Sequence, residues 1–155
     1  NGYRLGSVGS EKCISGRIDA VGVGGGVYSR LEELGYTRRV VSCKYSEAAK
    51  DSTGNDLTDM TGQYKFANMR AYLFWAVRDW LDPKNNTGAM LPPNGTLYQE
   101  SMEIHWYFRS DGKIIIEPKE DIKKRLGFST DEFDSLANTF CPKPMKIKGI
   151  KQSGY

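Results

Sequence analysis

Residues 111–140 read DGKIIIEPKEDIKKRLGFSTDEFDSLANTF and carry a turn, a strand, a basic segment, a helix start and two closely spaced carboxylates. Asp111-Gly112 is a hairpin signal, because the turn needs positive φ and Asp-Gly tolerates it. Residues 113–117, KIIIE, form a short β-rich apolar run, and Pro118 ends it because proline has no N–H for a ladder. Ser129 to Glu132 has the S-x-x-E spacing of a capping box, in which the hydroxyl accepts one orphan N–H and Glu132 reaches back to another. Phe133, Leu136, Ala137 and Phe140 recur at helical spacing and define one buried stripe. Asp131 and Asp134 lie off that stripe on roughly the same side, with Asp134 nearer its edge and open to partial desolvation. Acidic residues in a first helical turn also favour the macrodipole and need no other reason to be there. The pair gains chemical interest only where a third acid meets it.

Toward the N-terminus, residues 103–109 alternate around His105 and Tyr107 and pair with 113–117 as the hairpin. His105 is the single histidine, without an evident partner, and reads as structural. Residues 96–102 read as a short helix and 84–95 as a polar loop. Residues 66–81 are the strongest helix, with Phe66, Met69, Leu73, Ala76 and Trp80 as its stripe; Arg70 and Arg78 read as solvated face charges able to meet phosphate. Residues 45–62 are polar, with Asp51, Asp56 and Asp59, and read as a long surface loop. Residues 17–21 (a strand), 22–26 (a glycine turn), 27–34 (a helix closed by Gly35) and 40–43 (a strand) form a βαβ pattern, hence a parallel pair with a right-handed crossover. The glycine turn is not a dinucleotide fingerprint: G-x-G-x-x-G requires glycine at position 27, which is Val27, and no acid follows near Cys43. A tight turn with close backbone packing accounts for it. Asp19 falls at the C-terminal end of the first strand, where ligands of open α/β sheets gather, although a turn-capping aspartate is the plainer reading.

The chain has 155 residues, 26% charged and 12% aromatic, which fits one globular domain rather than a disordered chain. No apolar run reaches membrane-span length, and the first ten residues lack a signal-peptide core. Cys13, Cys43 and Cys141 are odd in number and show no C-x-x-C spacing, which argues against a structural zinc site and fits a reduced intracellular compartment. The net charge of +3 does not by itself indicate nucleic acid. Its distribution matters more: Lys143, Lys146, Lys148 and Lys151 make a basic tail without acids.

The string from Gly112 to Phe140 resembles the C-terminal nuclease domain of large terminase subunits, the DNA-packaging motors of tailed bacteriophages. Gly112, Lys113, Ile114, Ile116, Lys119, Lys123, Arg125, Gly127, Ser129, Asp131, Asp134, Leu136, Thr139 and Phe140 match that family's pattern, while Thr130 stands where it often has proline and Ser135 where it has alanine. IDAVGVGGGVYSRLEELGY and FANMRAYLFWAVRDWL look like two further family stretches, so the resemblance runs over residues 18–142. It implies an α/β fold of ribonuclease-H-like type, a mixed sheet flanked by helices with an added β-hairpin, over residues 1–142, followed by the basic tail 143–155. It implies a metal-dependent endonuclease that cuts concatemeric DNA. Asp19 falls on the family's second acid and Asp134 on its helical acid, with Asp131 beside it, as catalytic residues and ligands for Mg²⁺ or Mn²⁺. Lys119, Lys123, Lys124 and Arg125 would face DNA phosphates.

The implied partners are double-stranded DNA, a terminase ATPase domain, a small terminase subunit and a portal, in the host cytoplasm and away from membranes. One departure stands out: the family's first acid lies on an earlier strand, and nothing in residues 1–17 matches it. The expectation is therefore a nuclease domain lacking its first catalytic strand, or a degenerate relative. No G-x-x-x-x-G-K-[ST] loop occurs, so no ATPase is expected here. Two alternatives stay open: a non-catalytic DNA-binding module of the same fold, and a nucleotide-binding α/β domain using the glycine turn.

Overall fold

The computed structural model describes residues 16–20, 23–37 and 39–142. The basic tail, Cys13, Val21 at the end of the predicted first strand and Gly22 at the start of the glycine turn lie outside them. Strand β1 (Gly16–Asp19) pairs in parallel with β2 (Val40–Cys43), in a register that sets Asp19 opposite Cys43. Helix α1 (Val23–Glu33) connects them, as the βαβ pattern predicts. It begins earlier than position 27, so Gly24, Gly25 and Gly26 lie inside the helix rather than in a turn. The helix starts directly over the end of β1, and a Cβ on Gly24 would sit 1.8 Å from the Asp19 carbonyl oxygen. Only glycine allows that approach. Gly35, at φ 82°, closes the helix, with the Tyr36 N–H donating to the Leu31 carbonyl at 2.9 Å.

The polar segment after β2 is built from aspartate-centred turns. Asp51 Oδ1 accepts the Thr53 N–H at 2.8 Å, and Asp59 Oδ1 accepts the Tyr64 N–H at 2.8 Å. Asp79 Oδ2 ties the segment to the next helix by accepting the Met60 N–H at 3.0 Å. That helix, α2 (Met69–Leu81), starts at Asn68, whose side chain accepts from the Ala71 N–H, and stops before Asp82-Pro83. Phe66 is thus outside the helix, bridged to Ile114 instead. Ala71, Leu73, Phe74, Trp75 and Val77 are buried, a different face from the predicted stripe, of which only Leu73 is buried within the helix while Met69, Ala76 and Trp80 are half-buried; both the hairpin and the last helix pack on α2.

Helix α3 (Gly95–Met102) precedes the hairpin of β3 (Trp106–Phe108) and β4 (Ile114–Ile116), whose turn has Gly112 at φ 78°. Among the described residues the parallel and antiparallel pairs form two two-stranded sheets. The basic segment, predicted without structure, is helix α4 (Lys119–Leu126): Pro118 starts it, Ile122 is fully buried, and Gly127 ends it at φ 78°. Helix α5 (Asp131–Asn138) buries Phe133 and Ala137 of the predicted stripe, leaves Leu136 half-buried and ends before Phe140; the Phe133 ring stands edge-on to Phe74 with centroids 4.9 Å apart. The predicted capping box does not form. Ser129 donates to Asp131 Oδ1 at 2.8 Å, and Glu132 Oε2 accepts from Asn94 Nδ2 at 2.7 Å, so neither side chain is left to cap the helix.

Candidate functional site

Helix α5 presents Asp131 and Asp134 on one side of its first turn, and α4 points its first residue at them. Lys119 Nζ stands 2.6 Å from Asp134 Oδ2 and 2.9 Å from Asp131 Oδ1. The hydrogen bond from Lys119, then that from Ser129, hold Asp131 below the usual carboxylate range. Burial disfavours the charge on Lys119, but its bonds to Asp134 and Asp131 outweigh that and raise its pKa. The two acids differ in setting: the Asp131 side chain is 76% exposed and that of Asp134 only 14%. Asp134 Oδ1 is buried with no hydrogen-bond partner. An acceptor without a donor, on a hard carboxylate, suits a divalent cation such as Mg²⁺ or Mn²⁺.

Asp19 ends β1, paired in register with Cys43 of β2. Tyr45 follows β2 and donates its phenol to the Asp134 carbonyl at 2.9 Å. Burial raises the Tyr45 pKa, and the charge of Asp134, with that of Asp19 among the smaller causes, adds to it. Helix α5 also packs against β1, and Arg17 Nε donates to the Cys141 carbonyl at 3.3 Å. The strand that ends at Asp19 and the helix that carries Asp134 are thus neighbouring elements. Among the described residues, however, no three His, Cys, Asp or Glu side chains converge as a metal-holding group.

Arg70 is not a solvated face charge. Its Nη1 donates to the Glu117 carbonyl at 2.6 Å, its guanidinium lies 4.5 Å over the Phe74 ring, and its Nη2 is buried without a partner. Burial lowers its pKa, and the charge of Asp134 is the first influence opposing that. The basic residues of α4 are largely committed to carboxylates. Arg125 grips Glu117 at 2.7 Å and Glu103 at 3.1 Å, and Lys124 meets Asp121 at 3.4 Å. Lys123 is exposed and lowers the pKa of Asp131 through its charge, behind the hydrogen bonds of Lys119 and Ser129.

Sequence reasoning passed over Tyr45 and Glu100. Nothing local marks Tyr45, whose partner is 89 residues away. Glu100 had a signal: it shares helical spacing with Leu97 and Ile104, and an acid on an apolar stripe asks for a buried partner. Its carboxylate accepts the Phe133 N–H at 2.7 Å, and only 2% of the residue is exposed.

The architecture defined by these elements is the ribonuclease-H-like α/β fold of terminase nuclease domains. The nuclease domain of the large terminase subunit gp2 of bacterial virus Sf6 superposes with a TM-score of 0.59 at 22% identity, over 81% of this chain and 64% of that one. A point mutant of that domain with manganese and beta-thujaplicinol gives a TM-score of 0.60 at 23% identity, with 81% and 64% covered. A mutant with calcium gives 0.58 at 23% identity, with the same coverage. The chain therefore spans less than two thirds of the length of these structures. No protein-family model matches the chain, and no curated protein does.

Proposed function

We propose that this chain is the nuclease domain of a phage DNA-packaging terminase, a metal-dependent endonuclease that cuts concatemeric double-stranded DNA. Residues 1–142 would form the domain and 143–155 its basic tail. The observation that carries the reading is the pairing of Asp131 and Asp134 on one ammonium in this fold, with Asp134 Oδ1 buried and unpartnered beside them. Asp134 and Asp131 would hold Mg²⁺ or Mn²⁺ from α5, and Asp19 would contribute from the end of β1. Such ions, when bound, stabilise the attacking and leaving oxygens of phosphodiester hydrolysis. Lys119 neutralises the two carboxylates, and its long stem would let the ammonium reach a phosphate instead. Lys123, Lys124 and Arg125 would lie along the DNA backbone. A terminase ATPase domain, a small terminase subunit and a portal, in the host cytoplasm, would be the partners.

Plasmid nicking in Mn²⁺ tests the reading. The parent chain is expected to nick supercoiled DNA, and Asp134→Asn and Asp19→Asn are expected to lose at least about 100-fold in rate while still binding DNA. Equal nicking by parent and Asp134→Asn would sink the assignment. Binding without nicking by the parent would favour the second reading, a non-catalytic DNA-binding module of the same fold. That alternative rests on the sequence, in which nothing in residues 1–17 matches the family's first acid. No further observation favours the nucleotide-binding reading: Gly24, Gly25 and Gly26 lie inside α1.

A further inference from the structure

Helix α5 carries the acid pair, yet its first turn has no cap of its own. Thr130 makes no side-chain cap bond, although three acids crowd the first turn. The orphan N–H groups of a helix start must still be met. The one at Phe133 is met from α3, where Glu100 Oε2 accepts it at 2.7 Å. Glu100 is the single buried residue of α3. A second bond runs beside it, from Asn94 Nδ2 to Glu132 Oε2 at 2.7 Å, and Asn94 Oδ1 itself caps α3 through the Leu97 N–H at 3.2 Å. Two helices thus share their start-of-helix hydrogen bonds.

We infer that Glu100 is a positioning residue for the acid site: a buried carboxylate on α3 that fixes the first turn of α5, and with it the orientation of Asp131 and Asp134 toward a divalent cation. Phe133 N–H lies between the two aspartates in the chain, so any slip of that bond rotates both carboxylates together. An ordinary buried acid would be expected to pair with a cationic side chain. Glu100 instead accepts the Phe133 backbone N–H of the one turn that carries the acid pair. Placing a charge here has a cost, since burial raises the Glu100 pKa and the neighbouring charges of Glu132 and Asp131 raise it further. The inference rests on the acid-site reading proposed above.

The test separates reach from charge. Glu100→Gln keeps an acceptor oxygen at the same reach, whereas Glu100→Asp keeps the charge one methylene too short. Mn²⁺ binding by the full chain is measured by calorimetry, and exchange of the Phe133 amide is followed by NMR without metal. Glu100→Gln should bind Mn²⁺ within about threefold of the parent and keep the amide protected. Glu100→Asp should lose about 10- to 100-fold in Mn²⁺ affinity, the usual effect of removing support behind a metal ligand, and lose the protection. Parent-like Mn²⁺ affinity in Glu100→Asp, or affinity in Glu100→Gln as weak as in Glu100→Asp, overturns the positioning role. Asp134→Asn is the control for the underlying reading. If the parent binds no Mn²⁺, or Asp134→Asn binds it as well as the parent, the acid site itself fails and the positioning role fails with it.

Discussion

Lys119 Nζ contacts Asp134 at 2.6 Å and Asp131 at 2.9 Å, so one ammonium serves two carboxylates that would otherwise repel. Lys119→Met preserves most of the stem and removes the charge. Asp134 Oδ2 would then join Oδ1 as an acceptor without a donor. The expected cost is about 1 kcal/mol, near the low end for a stranded charged acceptor because Lys119 is itself 43% exposed. A divalent ion should offset that cost, and it no longer competes with the ammonium. Millimolar Mn²⁺ should therefore raise the melting temperature of Lys119→Met more than that of the parent in a thermal scan; a smaller rise in the variant would contradict this account. The same residue shows what spacing can reveal. Asp131 and Asp134 are neighbours on a helix, and their shared side is legible from the chain. Lys119 is remote from both in sequence and reads as a phosphate contact, because only the folded chain brings its ammonium to the first turn of α5 as their counter-charge.

Element boundaries follow a similar logic. The βαβ unit is legible because strand, helix and strand each carry a local pattern, and Gly35 marks the helix end. The helix start is hidden, because three consecutive glycines are poor helix formers and suggest a turn. What places them in α1 is the approach of the helix to β1, a tertiary requirement. This separates the glycines. Gly24→Ala would drive a methyl into the Asp19 carbonyl, while Gly26 has nothing within 4 Å of its would-be Cβ. Gly24→Ala should destabilise by roughly 1–3 kcal/mol and shift the end of β1 that bears Asp19. Gly26→Ala should stabilise by roughly 0.5–1 kcal/mol through helix propensity. Urea unfolding of the two variants decides it, and equal effects would mean that α1 does not sit over β1 as described. The capping box is the opposite case. Its S-x-x-E spacing is local and sound, but Glu132 is drawn off by Asn94 while Glu100 takes over the N–H at Phe133, so a contact between helices displaces a local one.

Across the whole molecule, the βαβ unit, the hairpin and the buried stripe of α5 are legible because each repeats a short-range rule. The joins between them are not, since Tyr45 to Asp134, Arg70 to Glu117 and Arg125 to Glu103 each link distant parts of the chain. Those joins also alter what the basic surface can offer DNA. Sequence alone counts four cations from Lys119 to Arg125 as equal phosphate contacts. In the structure Arg125 grips two glutamates, Lys124 pairs with Asp121 and Lys119 sits between two aspartates, whereas Lys123 is exposed and acts on Asp131 through its charge alone. A cation already paired gains little from phosphate, because it must first give up its carboxylate. If the chain binds duplex DNA, Lys123→Ala should lower the slope of log affinity against log salt by roughly 0.9, one released counterion. Arg125→Ala should change the slope by clearly less, and should lower the melting temperature through loss of its bonds to Glu117 and Glu103. Fluorescence anisotropy on duplexes of unrelated sequence, over a salt series, measures both slopes. Equal slope changes in the two variants would mean that Arg125 leaves its glutamates on DNA, and that the surface holding the nucleic acid is rearranged from the one described.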